Sequence, residues 1–568
     1  MKKHPGRQKV LFSSVCKPIG PSVGDGDSVG YELLHGQVTR SQHIYSPRVI
    51  HKQFSLDFIA TNIDTPSTVL HYPSRNSFIK ELKKGYDVVG IAFVLSTHHH
   101  AIEMCKLVRQ YSPQSKIVLG GYGTVMNEAE LSPYCDAICK GEGVRFMREF
   151  LGEPPRALTN YRHPEISSRL RIFGIPVSHT AMIFGGLGCP NGCDFCCTSH
   201  FFNKEHVPLL PSGESIFDFM YQQKQKHKDI EYTIIDEDFL LNKERAYGFL
   251  KKCREKNVSF STFCFASVKA LSQYSVEEIL EMGIDGIWIG YEGKKSGYSK
   301  HQGQDIDLLI KRLIDNGITV LASMILGIPY QDEAIVRKEF AQLIADRPTL
   351  TQYLIYGPTP GTPFYQEVVR NDQLVEVFKN DRVRYYKSCT GFYSMVKHPF
   401  MPNSRIEELQ KEFYRKDFEL LGPSILRVAE SKINGYHRYK NHSSPLLQQK
   451  ALEFRNKATK FLCILPVAII GPQISFKNRL YYMQLLFKIM RISKCYQWGY
   501  LLLAPLMTLA ALATWIKLTF NLFEHPFTRV YHYQVQANRS KRRHGSKYKY
   551  GRVILNDIKP RDYVRNDV

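Results

Sequence analysis

The stretch "IFGGLGCPNGCDFCCTSHFF", Ile183–Phe202, crowds four cysteines into nine positions between a short apolar strand and a helix. Cys189, Cys193 and Cys196 follow the pattern C-x3-C-x2-C. Three thiolates on one tight loop can bind three irons of a cubane cluster and leave the fourth iron open for chemistry. Gly185, Gly186, Gly188 and Gly192 allow the backbone to wrap closely and to aim N–H groups at the sulfurs. A second reading stays open on spacing alone. With His200 as a fourth ligand, the same loop could form a tetrahedral zinc site.

The loop begins an alternating series that runs from about Thr180 to Pro363. Its strand candidates are "TAMIFGG", "EYTIID", "SFSTFCF", "GIWIGYEG", "ITVLASMILGIP" and "TQYLIYGPTP". Amphipathic helices such as "SVEEILEMG" and "IDLLIKRLIDNG" lie between them. About six β/α units of this kind predict a full or partial (β/α) barrel, with catalytic groups at the strand C-termini.

A second α/β pattern precedes the barrel over residues 1–151. "KVLFSSV" (Lys9–Val15), "FSLDFIATNI" (Phe54–Ile63), "YDVVGIAFVLS" (Tyr86–Ser96), "KIVLGGYGT" (Lys116–Thr124) and "CDAICKGEG" (Cys135–Gly143) read as strands. Helical stretches at Ser77–Gly85 and Ala101–Pro113 separate them, which predicts a doubly wound parallel sheet. Such sheets take ligands beyond the carboxyl ends of their strands. His98, His99 and His100 fall there, either near a ligand or capping the next helix. The Pro-rich residues 152–174 read as a linker, 175–395 as the barrel, and 396–568 as a helix-rich, basic region.

The motif C-P-N-G-C-D-F-C (Cys189–Cys196) resembles the signature of radical S-adenosylmethionine enzymes, including the aromatic residue before the last cysteine. The resemblance implies a partial barrel and a [4Fe-4S] cluster on Cys189, Cys193 and Cys196. It also implies S-adenosylmethionine chelated by the open iron and cleaved on reduction to a 5′-deoxyadenosyl radical. Phe195 would then pack beside the adenine. Asp236 or Glu237, in "IIDEDFLLN", would meet the methionine ammonium, Glu292 the ribose hydroxyls, and Gly327 the adenosine. "GPTPGTPFY" (Gly357–Tyr365) resembles the closing segment of the larger members. Cys197 fits no ligand slot and is either a small core residue or a redox group. An electron donor of ferredoxin or flavodoxin type is implied as well.

The N-terminal series resembles the cobalamin-binding domain that precedes many methylases of this kind. Gly120, Gly121 and Thr124 would border the nucleotide tail of the cobalamin. The D-x-H-x-x-G motif, which supplies a histidine to cobalt in other cobalamin proteins, does not occur. The implied reaction is methylation of an unactivated carbon. The alternatives are a radical coupling, cyclisation or rearrangement without methyl transfer, or a non-catalytic cobalamin or redox sensor.

A net charge of +23 over 568 residues predicts an anionic partner. No Lys/Arg block dominates the first two-thirds, which weighs against nucleic acid. The nineteen residues Trp498–Ile516 carry no charge, and the following Lys517–Val568 holds twelve Lys/Arg against four Asp/Glu. Length permits a spanning helix, but an oxygen-sensitive cluster belongs in the cytosol together with the tail. Attachment to one leaflet of an anionic membrane surface is therefore expected, with "FLCILPVAIIG" (Phe461–Gly471) as a possible companion and a buried core helix as the alternative. Membrane proximity suggests a hydrophobic or lipid substrate. The scattered cysteines and the lack of a secretory pattern near the start suggest a cytoplasmic protein, at the cytoplasmic face of the membrane.

Overall fold

The computed structural model describes residues 8–16, 34–49, 52–471, 473–520, 522 and 529–533. Two sheets organise them. The first contains β1 (Val10–Ser14), β3 (Ser67–His71), β4 (Val88–Ala92), β5 (Lys116–Gly120) and β6 (Ala137–Ile138); β2 (Arg48–Val49) belongs to the second. β3, β1, β4, β5 and β6 run parallel in that order. Parallel neighbours require crossovers, and helices supply them at Phe54–Asn62, Arg75–Leu82 and His98–Tyr111.

The first of these corrects the sequence reading, which made Phe54–Ile63 a strand. Phe54, Leu56 and Phe58 do alternate, but β1 and β3 are parallel, so the chain must climb back over the sheet between them. It does so as a helix that buries Leu56, Phe58 and Ala60.

The second sheet contains β7 (Ile166–Ile172), β8 (Ile175–Ile183), β11 (Glu231–Ile234), β12 (Thr262–Phe265), β13 (Ile284–Glu292), β14 (Thr319–Leu326) and β15 (Leu350–Ile355). A small separate pair, β9 (Gly186–Leu187) and β10 (Val207–Pro208), frames the cysteine loop. The order β15-β14-β13-β12-β11-β8-β7-β2 gives six parallel strands from β8 to β15, a partial (β/α) barrel. The open edge at β15 is shielded by the helix Asn403–Leu421, from which Gln410 donates to the Tyr353 carbonyl at 2.7 Å.

Residues 152–174 are not only a linker. They contain β7, which pairs antiparallel with β8 and carries β2 on its other side. The polar face of Ser167, Arg169 and Arg171 hides this strand from a search for apolar runs. The last part of the 175–395 range also has a second allegiance. Phe364, Tyr385, Tyr386 and Met395 pack into one cluster with Phe78, Leu82 and Met104 of the N-terminal sheet's helices.

The C-terminal helices Ser424–Tyr439 and Pro445–Thr459 close the barrel base. There Lys432, Lys450 and Lys457 converge on Asp285 at the start of β13. Burial pushes the Asp285 carboxyl up, but the three ammonium groups outweigh it and hold it well below the usual carboxylate range. The segment Phe461–Gly471 belongs to the core through Leu462, Leu465, Val467 and Ala468, which removes it as a companion membrane segment. The chain ends its described course at β16 (Arg529–Tyr533), antiparallel to β3 at the edge of the first sheet.

Candidate functional site

The cysteine loop leaves the carboxyl end of β8, the first barrel strand, as expected for a (β/α) site. Its shape is set locally. Gly188 adopts φ +78°, and a Cβ there would lie 2.2 Å from the Glu205 carbonyl oxygen. The Ser199 hydroxyl donates to the Cys189 carbonyl at 2.6 Å and accepts from the Gly192 N–H at 3.1 Å. His200 Nε2 lies 3.0 Å from the Cys193 carbonyl, so it braces the loop rather than pointing outward as a metal ligand. Asp194 accepts from the Tyr298 hydroxyl at 2.8 Å, and its carbonyl accepts from the Phe364 N–H at 3.2 Å.

Cys189 and Cys193 are buried and Cys196 partly so. Burial pushes the Cys189 thiol up to about 11 and the Cys193 thiol up to about 12, and the neighbouring cysteines add to the shift. Three such sulfurs become thiolates only when a cation neutralises them, so the donor set fits a bound metal cluster. Among the described residues, no three His, Cys, Asp or Glu side chains converge on a single metal ion.

Acidic groups from neighbouring strand ends face the same space. Asp236 follows β11 but is committed elsewhere, in a buried ion pair with Arg245. Gly185 is what admits that pair, since a Cβ would stand 2.6 Å from Arg245 Nη2 and from Asp236 Oδ1. Glu237 points the other way. Its side chain is exposed at the carboxyl end of β11. Burial and the adjacent Asp236 raise its carboxyl to about 7, although Thr198 hydrogen-bonds to it. Asp238 ties the cysteine loop to β12, accepting from Asn191 Nδ2 at 3.0 Å and from the Ser267 N–H at 3.1 Å. Of the two alternatives named for the ammonium, the geometry leaves Glu237 open to a ligand.

Glu292 ends β13 at a shift of register and adopts φ +53°, a left-handed conformation that turns its side chain inward. It pairs with Lys300 and lies 3.7 Å from His301 Nε2, while its Oε2 has no hydrogen-bond donor. Lys300 also stands 5.6 Å from the Phe195 ring centroid. Phe195 packs edge-on against Tyr298 and Tyr356, so the signature aromatic is held in a cage of rings. Gly327 ends β14 at φ +79°, a turn that a side chain would strain.

Sequence reasoning missed Lys300, Tyr298 and Ser199. Lys300 lies in the polar loop "KKSGYSKHQG", where nothing separates it from neighbouring Lys294 and Lys295.

A cleft of about 460 Å³ opens where the first sheet meets the barrel. Thr124, Lys140 and Arg145 line one side, Cys197, Phe201 and Phe202 the other. Of the residues named for a cobalamin tail, Thr124 lines this cleft, and Gly120 and Gly121 lie behind it and serve the fold. A Cβ on Gly121 would lie 2.7 Å from the Phe93 carbonyl oxygen, and Gly120 has Cys139 as its neighbour. The Thr124 hydroxyl donates to the carbonyls of Gly121 at 2.8 Å and Cys139 at 3.3 Å. His98 is buried against Tyr386, with Nδ1 2.9 Å from the Leu95 carbonyl, and opens the helix His98–Tyr111. Cys197 borders the cleft, its thiol raised by burial to about 12.

No family model matches the chain. It is 24% identical over 387 residues to an uncharacterized methyltransferase of Pyrococcus horikoshii, covering 60% of this chain and 80% of that protein. It is 21% identical over 313 residues to the bacteriochlorophyllide d C-8(2)-methyltransferase of Chlorobaculum tepidum, covering 50% and 68%. The C-12(1)-methyltransferase of the same organism is 22% identical over 378 residues, covering 61% and 78%. Among solved structures, the radical S-adenosylmethionine methyltransferase TsrM from Kitasatospora setae, with cobalamin and a [4Fe-4S] cluster bound, superposes with a TM-score of 0.48 at 12% identity. That match covers 79% of this chain and 100% of the other.

Proposed function

We propose that this chain is a radical S-adenosylmethionine enzyme that methylates an unactivated carbon of a hydrophobic substrate. Cys189, Cys193 and Cys196 would hold a [4Fe-4S] cluster, and the cleft between the first sheet and the barrel would take cobalamin. The observation that carries the reading is the meeting of three cysteine thiols on one strand-end loop with Glu237, Glu292 and Lys300 from neighbouring segments. The methyltransferase relatives support the reaction class.

When bound, the cluster supplies the electron that breaks the sulfonium of S-adenosylmethionine, and cobalamin carries the methyl group. The chain's own residues position the partners. Glu237 offers a carboxylate to the methionine ammonium from the end of β11. The Glu292–Lys300 pair presents opposite charges side by side for the ribose hydroxyls and the methionine carboxylate. Phe195, caged by Tyr298 and Tyr356, offers an edge to the adenine. Tyr122 meets Phe201 edge-on at 5.2 Å, so aromatic walls flank the domain joint and suit a large apolar substrate. Thirteen scattered cysteines suit a reducing cytosol, and the charge of +23 suits an acidic electron donor of ferredoxin or flavodoxin type.

The test is anaerobic reconstitution with iron, sulfide and hydroxocobalamin, followed by reduction in the presence of S-adenosylmethionine and a lipid extract. The reading predicts cluster and cobalamin spectra, release of 5′-deoxyadenosine and S-adenosylhomocysteine, and a product heavier by one CH2. Stoichiometric zinc, or no consumption of S-adenosylmethionine, would refute it. Consumption without a methylated product would favour a coupling or rearrangement.

A further inference from the structure

The helical stretch Cys495–Thr519 has a mean hydropathy of 1.8 over its best window, yet only 11% of that window is buried. One side of it is explained by the fold. Met507 and Ala511 are buried, and Ala510 and Leu518 pack beside them on a core containing Tyr45, Leu465 and Ala468. The other side is as apolar as the first and is exposed among the described residues. Leu502 is 83% exposed and Leu509 65%, with Leu506, Leu512 and Ile516 on the same outward side. A helix that is apolar all round needs a nonpolar neighbour on every side.

The preceding helix, Phe476–Ile492, shows the same division. Tyr482, Leu485 and Ile489 enter the same core. Phe476, Leu480, Met483 and Phe487, spaced four, three and four residues apart, form an exposed apolar stripe. The charge around these helices has one sign. Residues 454–523 hold nine Lys/Arg and no Asp or Glu. On the outward side of the second helix, Lys477, Lys488 and Arg491 flank the stripe, and Lys494 is exposed just beyond it.

Chain geometry decides how a membrane could be met. The start of the apolar stretch is tied down by Gln497, whose Nε2 donates to Asn456 Oδ1 at 3.3 Å. Beyond its end, β16 lies in register with β3, and the Tyr533 hydroxyl donates to Asp57 on the helix Phe54–Asn62. Only nine steps separate Phe520 from Arg529. Fully extended, they reach about 30 Å, the thickness of one hydrocarbon core. A spanning helix would need that entire reach to return, and its flank could not also lie along the protein core.

We propose that the two helices form a monotopic docking face, which seats Phe476, Phe487, Leu502, Leu506 and Leu509 in one leaflet of an anionic bilayer. The basic side chains around them meet the lipid headgroups, and the chain never crosses. This inference stands on the C-terminal helices alone and does not depend on the proposed chemistry.

The test is flotation of the full chain with phosphatidylcholine vesicles and with vesicles enriched in phosphatidylglycerol. We expect co-flotation with the anionic vesicles, weakened by salt, and at least about tenfold weaker partitioning for Leu506→Glu/Leu509→Glu. An antibody to the C-terminal residues should lose its epitope when protease is added outside the vesicles. Brominated lipids should quench Trp498 and Trp515 in the unmodified protein, a readout that survives if the double variant fails to fold. Equal binding to neutral vesicles, a protected C-terminal epitope, or a dimer broken by the same substitutions without vesicle binding would each overturn the proposal.

Discussion

Lys432 is fully inside the protein, and its ammonium donates to the carbonyls of Asp285 at 2.8 Å and Gly317 at 2.7 Å. The bond joins the helix Ser424–Tyr439 to the entrances of two barrel strands, on the face opposite the cysteine loop. The C-terminal region is thus built into the base of the barrel.

Burial pulls the Lys432 ammonium down to about 7 despite the nearby Asp285. In the unfolded chain the same group titrates near its ordinary value of about 10.4. Between these values the unfolded state holds a proton that the folded state has released, so stability rises with pH across that window. The slope from this group is about 1.4 kcal/mol per pH unit. Denaturant melts at several pH values should show it as the difference between the wild type and Lys432→Met, and a flat difference would refute it.

Replacing Cys189, Cys193 or Cys196 singly by Ala should bring iron and acid-labile sulfide to background and abolish activity. Cys197→Ala should leave the metal content intact. Metal analysis and low-temperature spectra check both, and retained iron in Cys193→Ala would refute the assignment.

Glu237→Gln should weaken S-adenosylmethionine binding to the reconstituted protein by about tenfold, the value of one charge-assisted hydrogen bond. Because the carboxyl titrates near 7, wild-type affinity should rise as pH increases through that value, whereas the variant should not respond. Equilibrium binding at pH 6 and pH 8 (roughly one unit either side,) separates the two.

Lys300→Met leaves Glu292 buried beside His301 alone, and breaking such a pair costs about 3–5 kcal/mol. The double variant Lys300→Met/Glu292→Gln should recover much of this stability without recovering S-adenosylmethionine binding. Thermal melts together with binding measurements distinguish this from a purely structural role.

The fold was legible where one period dominates. β13 and β14, in the middle of the barrel sheet, are near-continuous apolar runs because both faces of a parallel sheet are covered. Phe54–Asn62 was misread because its alternating aromatics carry a strand's period over a short window, and only the parallel pairing of β1 and β3 decides the matter. β7 escaped because one of its faces is polar. At the site, the cysteines declare themselves by spacing, but Asp236 and Glu237 are adjacent carboxylates that sequence cannot tell apart. Arg245, nine positions further on, separates them by claiming the first.

The pairing of β16 with β3 brings together residues synthesised far apart in time. The partner of Leu70 is Val530, and 460 residues must be translated between them. At about 5–20 residues per second, the first sheet waits roughly 25–90 s for its sixth strand. Throughout that interval β3 offers an unmatched row of amides to any neighbouring nascent chain. The first part of this protein to leave the ribosome is therefore among the last to be finished.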